Sequence, residues 1–245
     1  MTPRLRSDSF GALSSSASEA LRRTEVRLMI VFLAVVGALA GFAGLAAEVR
    51  EGDVFSVDRV VLIAFRVPGH PDIAIGPRWM QESARDITAL GGFTVLTLVT
   101  VSAIVLLVTH RRRAQAVVFA VTVIAAQLAS GLLKTYVDRP RPAVVPAHDL
   151  VYSSSFPSGH AMMTPVVYLS LAAIIAAGEH RTSLKALVLM SAAWLVLAVG
   201  VSRVYLGVHW PTDVLGGWAI GIAIALSASV ALHHFAAPRQ PSDPW

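Results

Sequence analysis

The sequence predicts an all-α, polytopic membrane protein with six transmembrane helices in a bundle and an active site at its extracytoplasmic face. Three observations carry that prediction. Apolar residues fill 55% of the 245 positions and charged residues only 14%, giving a mean hydropathy of +0.66, far from the balance of a soluble domain. Uncharged apolar runs recur along the chain, each close to the roughly 20 residues that a helix needs to cross a bilayer. Arginine clusters fall at alternate ends of those runs, as expected if cytoplasmic loops retain Lys and Arg.

Residues 1–26 are polar and rich in Ser and Arg, which reads as a disordered cytoplasmic tail. The first apolar run, 28–47, starts late for a cleaved signal peptide; small residues near Gly41 to Ala47 keep cleavage open, but a retained first span is the reading. Residues 54–67 are also apolar. They are short and interrupted by Asp58, Arg59 and Arg66, so an interfacial or re-entrant segment is expected there. The outer loop 48–86 has turn formers at Pro68-Gly69 and Pro71, with Trp79 and Met80 near the membrane interface, and would cap the outer face or shape access for a lipid tail.

The remaining spans are expected at 87–109, 114–133, 161–178, 186–202 and 214–232, completing a membrane domain of 27–235 before a cytoplasmic tail of 236–245. Arg4, Arg6, Arg22, Arg23 and Arg27, then Arg111, Arg112 and Arg113, then Arg181 and Lys185 mark one side as cytoplasmic. An even number of spans places both termini there. The net charge of +5 is divided between these loops and the opposite face rather than gathered in one patch, which argues against nucleic acid as a partner. The chain has no cysteine, so disulfides, thiol nucleophiles and thiolate metal sites are excluded.

Chemistry concentrates in three short pieces on the outer side. Lys134 and Arg141 lie on a translocated loop, against the positive-inside tendency, and a dianionic phosphate would explain cations kept there. Arg139 in the same loop pairs with Asp138 in an uncertain role. In Pro157-Ser158-Gly159-His160, Ser158 is placed to cap the next span, whose first turn would offer N–H groups and a positive dipole end to an anion. Gly159 would admit a phosphate oxygen close to the backbone, and His160 could protonate a leaving oxygen. In the third piece, His209 precedes Asp213 by four residues with Pro211 suited to a first helical turn, so the carboxylate could hold one imidazole nitrogen while the other points at substrate. Ser202 and Arg203 add a hydroxyl and a planar donor fork at the same depth.

Lys134-x6-Arg141-Pro142, Pro157-Ser158-Gly159-His160 and Ser202-Arg203-x5-His209-x3-Asp213 together resemble the three signature motifs of the type 2 phosphatidic acid phosphatase superfamily. The resemblance covers 134–213 directly and implies a helical bundle, a phosphohistidine intermediate and neither metal nor other cofactor. It implies that His209 attacks phosphorus, Asp213 orients and charge-stabilises it, and His160 protonates the departing oxygen and then activates water. Lys134, Arg141, Ser158, Gly159 and Arg203 would bind the phosphoryl oxygens.

The remaining histidines have structural readings: His70, His110 and His180 in loops, His233 and His234 at the end of the last span, and His148 with Asp149 as residues that tune the active-face loop. With Trp210 and Trp218 expected at the interface, the partners are membrane lipids and an amphiphilic phosphate. Phosphatidic acid, phosphatidylglycerophosphate and an isoprenoid diphosphate all fit; Ala-, Val- and Arg-rich usage suggests a bacterial chain and puts undecaprenyl diphosphate first. A phosphotransferase that uses a lipid or sugar acceptor is the alternative, and a non-enzymatic lipid transporter on the same fold is the more distant one. Nothing in the residues specifies an oligomeric state. Because cations rather than hard oxygen ligands surround the site, phosphate release by purified protein is expected to be undiminished by EDTA. A loss of release that added divalent ion restores would overturn that expectation.

Overall fold

A computed structural model describes residues 7–52, 55–143 and 154–234. Helix α1, Ser7–Glu51, runs without a break through the stretch expected to be an irregular tail. No proline occurs between Pro3 and Pro68, and residues 17–28 are mostly good helix formers, so nothing local stops the helix at the start of the apolar run. Most of its apolar side chains, Phe32 and Leu33 among them, face outward as a lipid-exposed surface, while Phe42 and Val49 are buried against the bundle.

The short segment expected to be interfacial becomes α2, Phe55–Ala64. Asp58 and Leu62, four residues apart, turn inward and are fully buried, while Val57 and Val60 stay exposed. A two-stranded hairpin follows, β1 at Arg66–Val67 and β2 at His70–Ala74, a small departure from an all-α fold that Gly69 permits by taking φ +81 in the turn.

The expected second span is broken. Helix α3, Arg78–Ala89, and α4, Phe93–Thr109, meet at 44°. Leu90, Gly91 and Gly92 each donate to the carbonyl three residues back, tightening the end of α3 into a 3₁₀ turn. A Cβ on Gly91 would lie 2.5 Å from Val199 Cγ1 and 3.2 Å from His160 Cδ2, so only glycine lets the elbow pack this closely. Helix α4 buries Leu96, Thr100, Ala103 and Leu107, a helical stripe against the bundle.

Helix α5 spans Arg113–Val137. Helix α6, Gly159–Thr164, runs through a π-helical turn at Pro165–Leu169 into α7, Ser170–Gly178, making one apolar rod. Pro165 has no N–H to give the α-helical ladder, and the wider turn absorbs the defect. Helix α8 is Thr182–Tyr205 and α9 is Pro211–His234. Among the described residues five helices are long and apolar enough to cross a membrane, six when the bent α3–α4 pair counts as one.

Helix α9 is the hub, packing against α1, α5, α6, α7 and α8. Its small residues make that possible. A Cβ on Gly217 would lie 2.8 Å from the Ser158 carbonyl oxygen, and one on Gly221 would lie 2.3 Å from that of Met162. Backbone meets backbone along this Gly-x3-Gly stripe, the usual means of joining helices where lipid removes the hydrophobic drive. Gly221→Ala is expected to cost about 1–3 kcal/mol by overpacking, measured as a lower thermal midpoint in detergent. Gly41→Ala is the control, because its Cβ would meet open space.

Candidate active site

The C-terminal ends of α5 and α8 and the N-terminal ends of α6 and α9 lie at one end of the bundle, and all eight residues singled out from the sequence gather there. Helix α8 stops in a Schellman motif: Gly207 takes φ +76, its N–H donates to the Val204 carbonyl and the Val208 N–H donates to that of Arg203. The reversal brings His209 back toward the bundle, two residues before α9 begins. His209 thus stands just outside the helix rather than in its first turn, and reaches Asp213 across the helix start.

His209 Nδ1 lies 3.3 Å from Asp213 Oδ2, with both side chains almost fully buried. Asp213 Oδ2 also accepts the Trp210 N–H at 2.9 Å and a short hydrogen bond from the Ser155 hydroxyl. Arg141 donates through Nη1 to the Val208 carbonyl at 2.7 Å and faces His209 Nε2 at 3.2 Å. These partners assign the proton to Nδ1 and leave a lone pair on Nε2, the arrangement a nitrogen nucleophile needs. Burial pushes the His209 imidazolium down to about 4; the hydrogen bond and charge of Asp213 oppose burial, and Arg141 and Arg203 reinforce it.

Around this pair stand the other expected residues. His160, the second residue of α6, sits against the α3–α4 elbow and within electrostatic reach of Arg203, His209, Lys134 and Arg141. Arg203 is 3% exposed and donates through Nη1 to Thr88 Oγ1 at 3.0 Å, so α3 holds it. Lys134 Nζ donates to the Ser154 carbonyl at 2.8 Å, and Ser154 Oγ returns a bond to the Lys134 carbonyl at 2.6 Å. Ser158 caps α6 by accepting the Ala161 N–H at 3.4 Å, and its own N–H goes to the Asp213 carbonyl at 2.9 Å. Its hydroxyl hydrogen is what remains for a ligand. A methyl on Gly159 would make only ordinary contacts with Lys134 and Ser130, so packing does not demand glycine there.

Several expectations change. Arg139 does not pair with Asp138, which lies exposed at the left-handed C-cap of α5; it turns inward between Asp58 and Asp213. The Ser202 hydroxyl donates to the Val199 carbonyl one turn back, so its proton is engaged within α8. Trp210 is buried rather than interfacial, with Nε1 donating to the Pro140 carbonyl, and Trp218 Nε1 donates to that of Val196. Among the described residues Trp79 and Trp194 are the exposed tryptophans. His70 and His180 are exposed and His110 bonds its own helix end, while His148, Asp149 and 235–245 lie outside the described residues. Among the described residues no group of three or more His, Asp or Glu side chains is placed to hold a metal ion.

A model of the PAP2 superfamily matches residues 115–236, which contain all eight residues singled out from the sequence. Phosphatidylglycerophosphatase B of Bacillus subtilis (strain 168) is 32% identical over 188 residues, 75% of this chain and 87% of that protein. The chain belongs to the PAP2 superfamily. Over shorter stretches the PAP2 chain resembles an undecaprenyl-diphosphatase of Sulfolobus acidocaldarius, 32% identical over 36% of this chain and 34% of that one. A putative undecaprenyl-diphosphatase of Escherichia coli is 40% identical over 31% of this chain and 34% of that one. Its fold matches the crystal structure of a transmembrane PAP2-type phosphatidylglycerolphosphate phosphatase from Bacillus subtilis with a TM-score of 0.71 at 29% identity, covering 79% of this chain and 93% of that one. This PAP2 protein is a membrane phosphatase.

Four residues of the PAP2 site went unread in the sequence: Asp58, Ser155, Thr212 and Thr88. For Asp58 a signal existed, because a carboxylate inside an apolar segment needs a partner. For the rest there was none, since isolated Ser and Thr residues have too many local uses. If neutral His209 is the reactive form, kcat/KM should hold as pH falls through the usual histidine range and collapse only toward about 4, where burial places its protonation. A pH–rate profile on the free enzyme checks this; an acid limb near 6.5 attributable to His209 would contradict it.

Proposed function

We propose that this PAP2 protein hydrolyses a lipid phosphate through a phosphohistidine on His209, on the extracytoplasmic side of the membrane with both termini cytoplasmic. The observation that carries the reading is the orientation of one buried imidazole: Nδ1 held by a carboxylate and Nε2 turned to an arginine that can move onto a phosphate oxygen. Nε2 forms the bond to phosphorus as the bond to the lipid oxygen breaks, and His160 gives that oxygen its proton. Asp213 balances the imidazolium that results. His160 then takes a proton from water, the oxygen attacks phosphorus, the N–P bond breaks and phosphate leaves with His209 neutral again. Lys134, Arg141 and Arg203 neutralise the equatorial oxygens, with Ser158 and Gly159 beside them at the start of α6.

Among substrates, the relative matched over most of the chain favours phosphatidylglycerophosphate, and the relatives matched over the motif region favour undecaprenyl diphosphate as a second reading. Both present a phosphate at headgroup depth and a tail in the bilayer. Arginine-rich loops at Arg111–Arg113 and Arg181–Lys185, at the opposite end from the site, support the assigned orientation. Free phosphate measured from a panel of lipid phosphates, with and without a lipid acceptor, separates hydrolysis from phosphotransfer. His160→Ala is expected to lower turnover by roughly 10²–10⁴-fold and His209→Ala to abolish it, each with an unchanged elution profile in detergent. Substantial turnover by His209→Ala would sink the assignment.

A further inference from the structure

We propose that Arg139 and Asp58 are positioning residues for the catalytic carboxylate, Arg139 fixing the rotation of Asp213 and Asp58 holding Arg139 in place. The proposal rests on the catalytic reading above. Arg139 Nη1 lies 2.6 Å from Asp213 Oδ1 and Nη2 lies 2.5 Å from Asp58 Oδ2, and all three side chains are at most 1% exposed. Asp213 is therefore held at both ends: Oδ1 by the guanidinium, Oδ2 by His209, the Trp210 N–H and the Ser155 hydroxyl. Pinning Oδ1 keeps Oδ2 aimed at Nδ1, as an outer-shell partner orients a ligand. The rigid guanidinium reaches the two carboxylates from two separate nitrogens at a fixed spacing, whereas a lysine has only its single Nζ to offer both.

Asp58 fastens the same helix start in a second way. Its Oδ1 accepts the Thr212 N–H at 2.9 Å and its Oδ2 accepts the Thr212 hydroxyl at 2.6 Å, while Arg139 Nη1 donates to Thr212 Oγ1 at 2.7 Å. Without the guanidinium two buried carboxylates would repel across this turn. With it the three groups carry one net negative charge, enough to balance one imidazolium on His209.

The test is steady-state kinetics on Arg139→Lys with the lipid phosphate that wild type turns over best. The expected result is kcat lowered at least about ten-fold with KM within about two-fold, because the guanidinium acts on Asp213 and not on substrate. A second readout follows the His209 titration by NMR of ring-labelled histidine, its signal assigned by its loss in His209→Gln. Arg139→Gln leaves more negative charge facing Nδ1 and should move the titration up; Asp58→Asn leaves Arg139 to Asp213 alone and should move it down. Asp213, Arg141, Arg203, Lys134, His160 and Ser155, which surround His209 from the other elements, are unchanged in both variants. Turnover by Arg139→Lys within two-fold of wild type, a loss carried by KM, or a titration identical in all the proteins would overturn the proposal. If Arg139→Lys does not fold, Asp58→Asn carries the kinetic test with the same split. Failure of the catalytic reading is distinct: wild type would release no phosphate, while the titration would still report whether Arg139 sets the charge on Asp213.

Discussion

The contact on which the site depends is the buried ion triad in which Arg139 sits between Asp58 and Asp213. Taking such charges out of water costs several kcal/mol per ion before any attraction is counted, and the attraction offsets this only when geometry and the remaining hydrogen bonds are good. Here they are, with Thr212, Ser155, Trp210 and His209 filling further positions on the two carboxylates. The triad therefore constrains strongly. It ties α2, the segment after α5 and the start of α9 to one another across sequence separations of 81 and 74 residues. Removing Arg139 leaves two buried carboxylates with no cation between them.

Glycines do the complementary work along the bundle. In a membrane, helices do not gain much by hiding apolar surface from other apolar surface, so close backbone approach has to hold them. Gly217 and Gly221 bring α9 against α6, and Gly91 brings the α3–α4 elbow against α8 and His160. The first contact sets the two histidine-bearing helix ends side by side. The second turns a break in a span into one wall of the site, with Thr88 on Arg203 and the Leu90 carbonyl on Tyr168.

Charge is segregated within the site. Carboxylates lie on the inner side, bound to each other through Arg139 and to the start of α9; Lys134, Arg141 and Arg203 surround the histidines. An anion entering among the three cations meets a neutral His209 whose far nitrogen is already engaged. This separation suits phosphoryl transfer, where negative charge grows on the phosphoryl oxygens while positive charge appears on the attacking imidazole.

How much of this was legible in the sequence follows from what sets each feature. Bilayer thickness and the retention of arginine in cytoplasmic loops act on local runs of residues, so the apolar spans and the gathering of Lys134, Arg141, Ser158, Gly159, His160, Arg203, His209 and Asp213 at one end could be read from the chain alone. The Gly91-Gly92 elbow, the inward turn of Arg139, the burial of Trp210 and the local hydrogen bond of Ser202 could not. Each is decided by a partner distant in sequence or by competition with a nearby carbonyl. Asp58 shows the division most plainly: its sequence context says that a carboxylate in an apolar segment needs a partner, and only the packing of α2 against α9 determines that the partner is the arginine holding Asp213.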